Sequence, residues 1–148
     1  MGIRHMAYRV EHRLREDLAS VPAARELAVR ALAACSYRGR HDDVLLVVSE
    51  LVTNALRHGD GSPVLRLSGG VTWMRVEVAD DGAGLPRLRR RGRMDGWGLN
   101  LIQQLAAGWG VDRRATRDGK GEGPGKVVWC ELTARLTLVD AVSESSHA

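Results

Sequence analysis

Glu50-Leu51-Val52-Thr53-Asn54-Ala55-Leu56-Arg57-His58-Gly59 places a carboxylate and an amide one helical turn apart in an otherwise apolar stretch. Upstream, Asp42 and Asp43 precede Val44, Leu45, Val48, Leu51, Val52 and Ala55, which recur at the 3.6-residue period of an amphipathic helix. Gly59 is expected to stop that helix at the C′ position. Asp43, Val47, Glu50, Asn54 and Arg57 fall on a second stripe, roughly opposite much of the packing stripe. Polar groups there need a reason, and a ligand facing them would supply one.

Two glycine-bearing turns follow. Asp80-Asp81-Gly82-Ala83-Gly84 comes directly after the alternating Val76-Glu77-Val78, and Gly96-Trp97-Gly98-Leu99-Asn100 opens a further helix. Glycines let backbone approach a ligand without an intervening Cβ, and free amides at a helix start favour anions. Between the turns, residues 85–95 carry Arg87, Arg89, Arg90, Arg91 and Arg93 without periodicity and read as a lid loop. Taken singly, each segment has an ordinary reading: Asp-Gly is a common turn pair, and Asn54 or Glu50 alone would pass for surface polarity on a helix. Their combination and order are far more specific.

In that order the three segments resemble the nucleotide site of the gyrase, heat-shock chaperone, histidine kinase and mismatch-repair ATPase (GHKL) superfamily. The resemblance covers residues 8–135 and implies an ATP-binding kinase of the Bergerat fold. It implies that Asn54 binds Mg²⁺, that Glu50 is the general base, and that the Asp80 carboxylate accepts a hydrogen bond from the adenine amino group. Gly82 and Gly84 would pass beneath the base, and Gly96, Gly98 and Leu99 would line the phosphates, with lid arginines available to clamp them. Mg²⁺ takes hard oxygen ligands and draws few from protein, so one amide oxygen beside phosphate and water is chemically sufficient.

A sensor histidine kinase is expected to carry a dimerising hairpin with a phosphoacceptor histidine, and a phenylalanine in its lid; this chain has no Phe. It looks instead like the small, arginine-rich anti-sigma-factor serine/threonine kinases of bacteria. That likeness implies a partner switch in which the protein binds a sigma factor and phosphorylates a STAS-type anti-anti-sigma protein, using ATP and Mg²⁺, as a homodimer. The alternative is a catalytically weak module that sequesters a regulator by binding alone. One departure from the family pattern is that Gly125-Lys126 is followed by Val127 where the final strand often carries Thr.

The rest of the chain supplies a frame for these segments. Tyr8 to Leu14 alternates like a half-buried strand. Ser20 offers an N-cap before Pro22 and a helix reaching about Ala34. Val64–Leu67 and Thr72–Ala79 read as strands, Leu99–Ala107 as helix, and Trp109-Gly110-Val111 and Lys126–Thr133 as closing strands around a polar loop over 117–125. The expected fold is α+β, a two-layer α/β sandwich with helices on one face of a mixed, largely antiparallel sheet. One domain spans residues 8–135; residues 1–7 read as an extension or cloning remnant and residues 136–148 as a C-terminal tail, frayed from Ser143 to Ala148.

At 148 residues and 44% hydrophobic the chain can bury one core. Its formal charge is +4, and setting aside the five loop arginines leaves 4 − 5 = −1, so the basicity is local and argues against direct nucleic-acid binding. No apolar run reaches the roughly 20 residues of a membrane span, and a cytoplasmic home is expected. Cys35 and Cys130 read as reduced packing residues. The Lys120–Val127 segment only superficially resembles a phosphate-binding P-loop, since Lys120 replaces its first glycine and Val127 its hydroxyl.

Overall fold

The computed structural model describes residues 8–82, 97–115 and 122–134, without the side chains of residues 97–99, 114–115 and 122–124. The element order is β1 (Tyr8–Arg13), α1 (Ser20–Cys35), α2 (His41–His58), β2 (Val64–Gly69), β3 (Trp73–Asp80), α3 (Trp97–Leu105), β4 (Gly108–Ala115) and β5 (Glu122–Thr133). The strands form one five-stranded sheet in the order β1-β2-β3-β5-β4. All four pairings are antiparallel, so the sheet is purely antiparallel over these strands rather than mixed.

Strand alternation divides the sheet into two unlike faces. Leu65, Leu67, Met74, Val76, Val78, Val128, Cys130 and Leu132 point inward and are buried. The intervening Arg66, Ser68, Arg75, Glu77, Trp129 and Glu131 point the other way and remain half-exposed. Helix α2 lies over β3 and packs against both α1 and α3, which places it at the centre of the helical layer. It buries Val44, Val47, Val48, Leu51, Val52 and Ala55. Each of the larger ones contributes about 1.5–3 kcal/mol of burial. Val47 thus belongs to the core and not to the polar stripe, because the apolar arc of α2 is wide enough to meet two neighbouring helices as well as the sheet.

Asp42 and Asp43 sit in the first turn of α2 and Arg57 and His58 in its last, matching the helix dipole at both ends. Several local expectations shift. Ser20 is the first helical residue rather than the cap: Ala19 precedes the helix, its amide donates to Asp17 Oδ1 at 3.0 Å, and Ser20 Oγ donates to the Arg15 carbonyl at 2.8 Å. Helix α1 ends on Ser36 at φ 51°, with the Ser36 and Tyr37 amides returning to Ala33 and Leu32. That turn buries Tyr37, although the sequence presents it as part of a polar break; its ring stacks on His41 at 5.9 Å. β5 begins at Glu122, inside the stretch expected to be loop, and a register shift between Arg113 and Ala115 accommodates it.

Both cysteines are buried and free. Burial pushes the Cys130 thiol up to about 12, and also raises that of Cys35, consistent with inert packing roles.

Candidate nucleotide site

The end of α2 and the end of β3 meet at a tight backbone junction. Gly59 closes α2 in an extended conformation, φ −97° and ψ −172°, with its amide donating to the Ala55 carbonyl at 2.9 Å. This differs from the left-handed C′ glycine expected from sequence. The glycine is needed for space: a Cβ on Gly59 would lie 2.6 Å from the Ala55 carbonyl oxygen and 2.6 Å from Asp80 Cγ. From the other side, a Cβ on Gly82 would lie 3.0 Å from Gly59 Cα and 3.0 Å from Asp80 Oδ1. The Asp81 amide donates to the Asp60 carbonyl at 2.9 Å and ties the two segments together. Gly61 does take a left-handed conformation at φ 75°, beneath the exposed Asp81 carboxylate.

Asp80 is the last residue of β3 and is 2% exposed. Its Oδ1 accepts the Gly82 amide at 2.7 Å and the Lys126 ammonium at 2.9 Å. Lys126 is 4% exposed, stands opposite Asp80 in the β3–β5 register, and donates a second bond to the Gly82 carbonyl at 3.3 Å. Among the described residues, the bonds made by this carboxylate all fall on Oδ1. The neighbouring Val127 pairs with Ala79, so by strand alternation it faces away from Asp80. A hydroxyl at 127 would not reach the carboxylate; the residue beside it is Lys126.

Glu50 and Asn54 lie one turn apart on α2 and are both half-buried. Burial raises the Glu50 carboxyl above its ordinary value, and the nearby Arg57 charge partly opposes the shift. A carboxyl moved in that direction is a better proton acceptor from a hydroxyl near neutral pH. The structure therefore groups Asp80, Gly82, Gly59 and Lys126 in contact, and sets Glu50 and Asn54 on the helix whose end is clamped to that group. Gly98 and Leu99 lie in the first turn of α3. Gly84, Gly96 and the arginine loop lie outside the described residues.

Among the described residues, two cavities lie elsewhere. One of about 340 Å³ opens on the outer sheet face beside Arg66, Trp73 and Arg75, and one of about 480 Å³ lies at the start of α2 beside Tyr37, Arg38 and Leu132. Neither includes Glu50, Asn54 or Asp80. Among the described residues there is no cluster of three or more His, Cys, Asp or Glu side chains that could hold a metal, and no helix long and apolar enough to cross a membrane. A single hard oxygen from Asn54 suits Mg²⁺ carried in by phosphates better than it suits an ion held by protein alone.

Lys126 and Gly59 belong to the cluster around Asp80, a grouping that sequence reasoning did not make. A signal for Lys126 existed: the chain has 22 Lys and Arg, of which only Lys120 and Lys126 are lysine. A lone lysine among the apolar residues of a closing strand asks for a buried partner.

The histidine kinase-like ATPase domain family matches residues 14–129, and the chain belongs to that family. This bears out the superfamily read from the three motifs and makes the chain a kinase-type, ATP-binding ATPase domain. Among relatives, sensor histidine kinase PdtaS of Mycobacterium tuberculosis (strain ATCC 25618 / H37Rv) is 30% identical over 102 residues, covering 65% of this chain and 20% of that protein. Blue-light-activated histidine kinase 2 of Erythrobacter litoralis (strain HTCC2594) is 37% identical over 82 residues, covering 51% of this chain and 24% of that protein. The chain matches only about a fifth to a quarter of the length of these relatives. Its fold is similar to that in the crystal structure of the RsbU and RsbW domains of Rv1364c from Mycobacterium tuberculosis, with a TM-score of 0.59 at 20% identity over 88% of this chain and 34% of that one.

Proposed function

We propose that this chain is an ATP- and Mg²⁺-dependent serine/threonine protein kinase and anti-sigma factor that phosphorylates a STAS-type anti-anti-sigma partner. The observation that carries the reading is the half-buried Glu50, its carboxyl raised by desolvation, one turn before Asn54 on the helix whose end packs on Asp80. Glu50 takes the proton of the attacking hydroxyl, Asn54 supplies the oxygen for Mg²⁺, and Asp80 accepts from the adenine amino group. Mg²⁺ supplies charge neutralisation at the β and γ phosphate oxygens. The first turn of α3 offers amides to the phosphates. Binding to a sigma factor, homodimerisation and cytoplasmic residence belong to the same proposal, and they rest on the likeness of the motifs to short anti-sigma kinases.

A second reading is a module that binds its regulator without phosphoryl transfer. The substitution at position 127 favours it less than the sequence suggests, because that side chain faces away from Asp80.

The deciding experiment is incubation with radiolabelled ATP, Mg²⁺ and a candidate anti-anti-sigma protein. Acid-stable label on the partner is expected. Acid-labile label would point instead to histidine phosphorylation, and a tight complex without label would favour the binding-only module. Glu50→Ala should keep nucleotide affinity and lower transfer about 10²- to 10⁴-fold. Asn54→Ala should abolish the magnesium dependence of binding, read by calorimetry with a non-hydrolysable analogue.

A further inference from the structure

Lys126 is an unusual neighbour for a carboxylate meant to read a base. It is nearly out of water, it pairs with Asp80 across β3 and β5, and it spends a second proton on the Gly82 carbonyl. A buried ammonium between two acceptors is costly to desolvate, so its retention asks for a role beyond stability. The geometry suggests one. Gly82 N–H and Lys126 Nζ converge on the same oxygen, Oδ1. Gly59 closes the space behind the carboxylate, since even a methyl group there would strike Cγ. The rotamer of Asp80 is thereby fixed by three neighbours, with Oδ1 committed and Oδ2 left as the acceptor. An ion-paired carboxylate accepts and does not donate.

Resting on the proposed nucleotide reading, we infer that Lys126 is a positioning and specificity-determining residue of the base pocket, which acts through Asp80. By holding Asp80 in one rotamer with Oδ1 occupied, it makes the pocket require a purine with an exocyclic amino donor. Without the ammonium, the same carboxylate is free to turn, and the demand for that donor weakens. Lys126 itself makes no contact with the nucleotide in this scheme. The compact ammonium suits the place, since lysine puts a point charge where the branched guanidinium of arginine needs more room.

The test compares equilibrium binding of ATP with that of purine riboside triphosphate, which differs only in lacking the 6-amino group. The wild-type chain should prefer ATP about 10- to 100-fold, the range of a hydrogen bond to a charged group. Asp80→Ala should bring that ratio close to one, and Lys126→Met should do the same. A purely structural lysine would weaken both nucleotides equally and leave the ratio intact, which overturns the inference while sparing the role of Asp80. A wild-type ratio near one would overturn both that role and the inference built on it. Because Lys126→Met leaves a buried carboxylate without its partner, the same substitution is also made in the Asp80→Asn background, where the resulting double variant strands neither charge. There it should change neither affinity; a further loss of either nucleotide would mean that Lys126 contacts the ligand directly and would overturn the positioning role.

Discussion

At the end of β3 one carboxylate meets one ammonium with side chains 1% and 5% exposed, whereas across the outer sheet face Glu11, Arg66, Glu77, Arg75 and Glu131 form a chain of ion pairs with exposures of 21–52%. The outer contacts include a bond as short as 2.6 Å, between Arg75 Nε and Glu77 Oε1, so distance alone would rank that one above the inner pair at 2.9 Å. Burial reverses the order. Wet charges trade protein partners for water at little net change, while a charge stranded out of water has no substitute partner. The same residue types on two faces of one sheet therefore do different things: one set pairs at a surface that water reaches, the other holds a single carboxylate beside the end of α2.

Breaking the inner pair should give the largest effect. Asp80→Ala leaves the Lys126 ammonium uncompensated and should lower unfolding free energy by about 3–5 kcal/mol in urea titrations. An effect no larger than that of an outer-face substitution would mean that water reaches the pair and that the contrast is false. Next in size, Gly59→Ala inserts a methyl group against the Ala55 carbonyl and the Asp80 carboxyl group and should cost about 1–3 kcal/mol. On the outer face, Glu77→Ala removes contacts to both Arg66 and Arg75 and should cost about 1 kcal/mol or less, diminishing further in high salt.

A last change sharpens the comparison through a slope rather than a level. Burial raises the Glu50 carboxyl above its ordinary value of 4.5. The folded chain then holds that proton more tightly than the unfolded chain does. The stability this provides is complete below the ordinary value and is lost as pH rises through the raised one. Glu50→Gln should flatten that part of the curve of unfolding midpoint against pH. An unchanged slope would show Glu50 to be as hydrated as the outer-face carboxylates.

Much of this molecule is legible in the residues. The period of Val44, Val48, Leu51 and Val52 gives α2, and the alternation of Val76 and Val78 gives β3. Their order with the other elements gives a helical layer on one face of a sheet. What fails is local and has common causes. Ser20 looks like a cap, but its hydroxyl turns back to the Arg15 carbonyl. Tyr37 looks polar, yet the left-handed turn at Ser36 swings it into the core. Val47 seems to belong to a ligand-facing stripe until α3 is seen packed against the same helix. Each miss depends on a neighbour that is distant in sequence or on a backbone turn that the residue types do not announce.

The sequence by itself determined the class of site: Glu50 one turn before Asn54, and an acid at the end of a strand followed by glycines, are short-range patterns fixed by helical pitch and strand alternation. Only the tertiary structure decided which residue stands beside that acid and why Gly59 is glycine. Lys126 reaches Asp80 through strand register across 46 positions, and Gly59 is constrained by the approach of another strand. Register and interelement distance are set by the packing of the whole core, and no local stretch of the chain contains them.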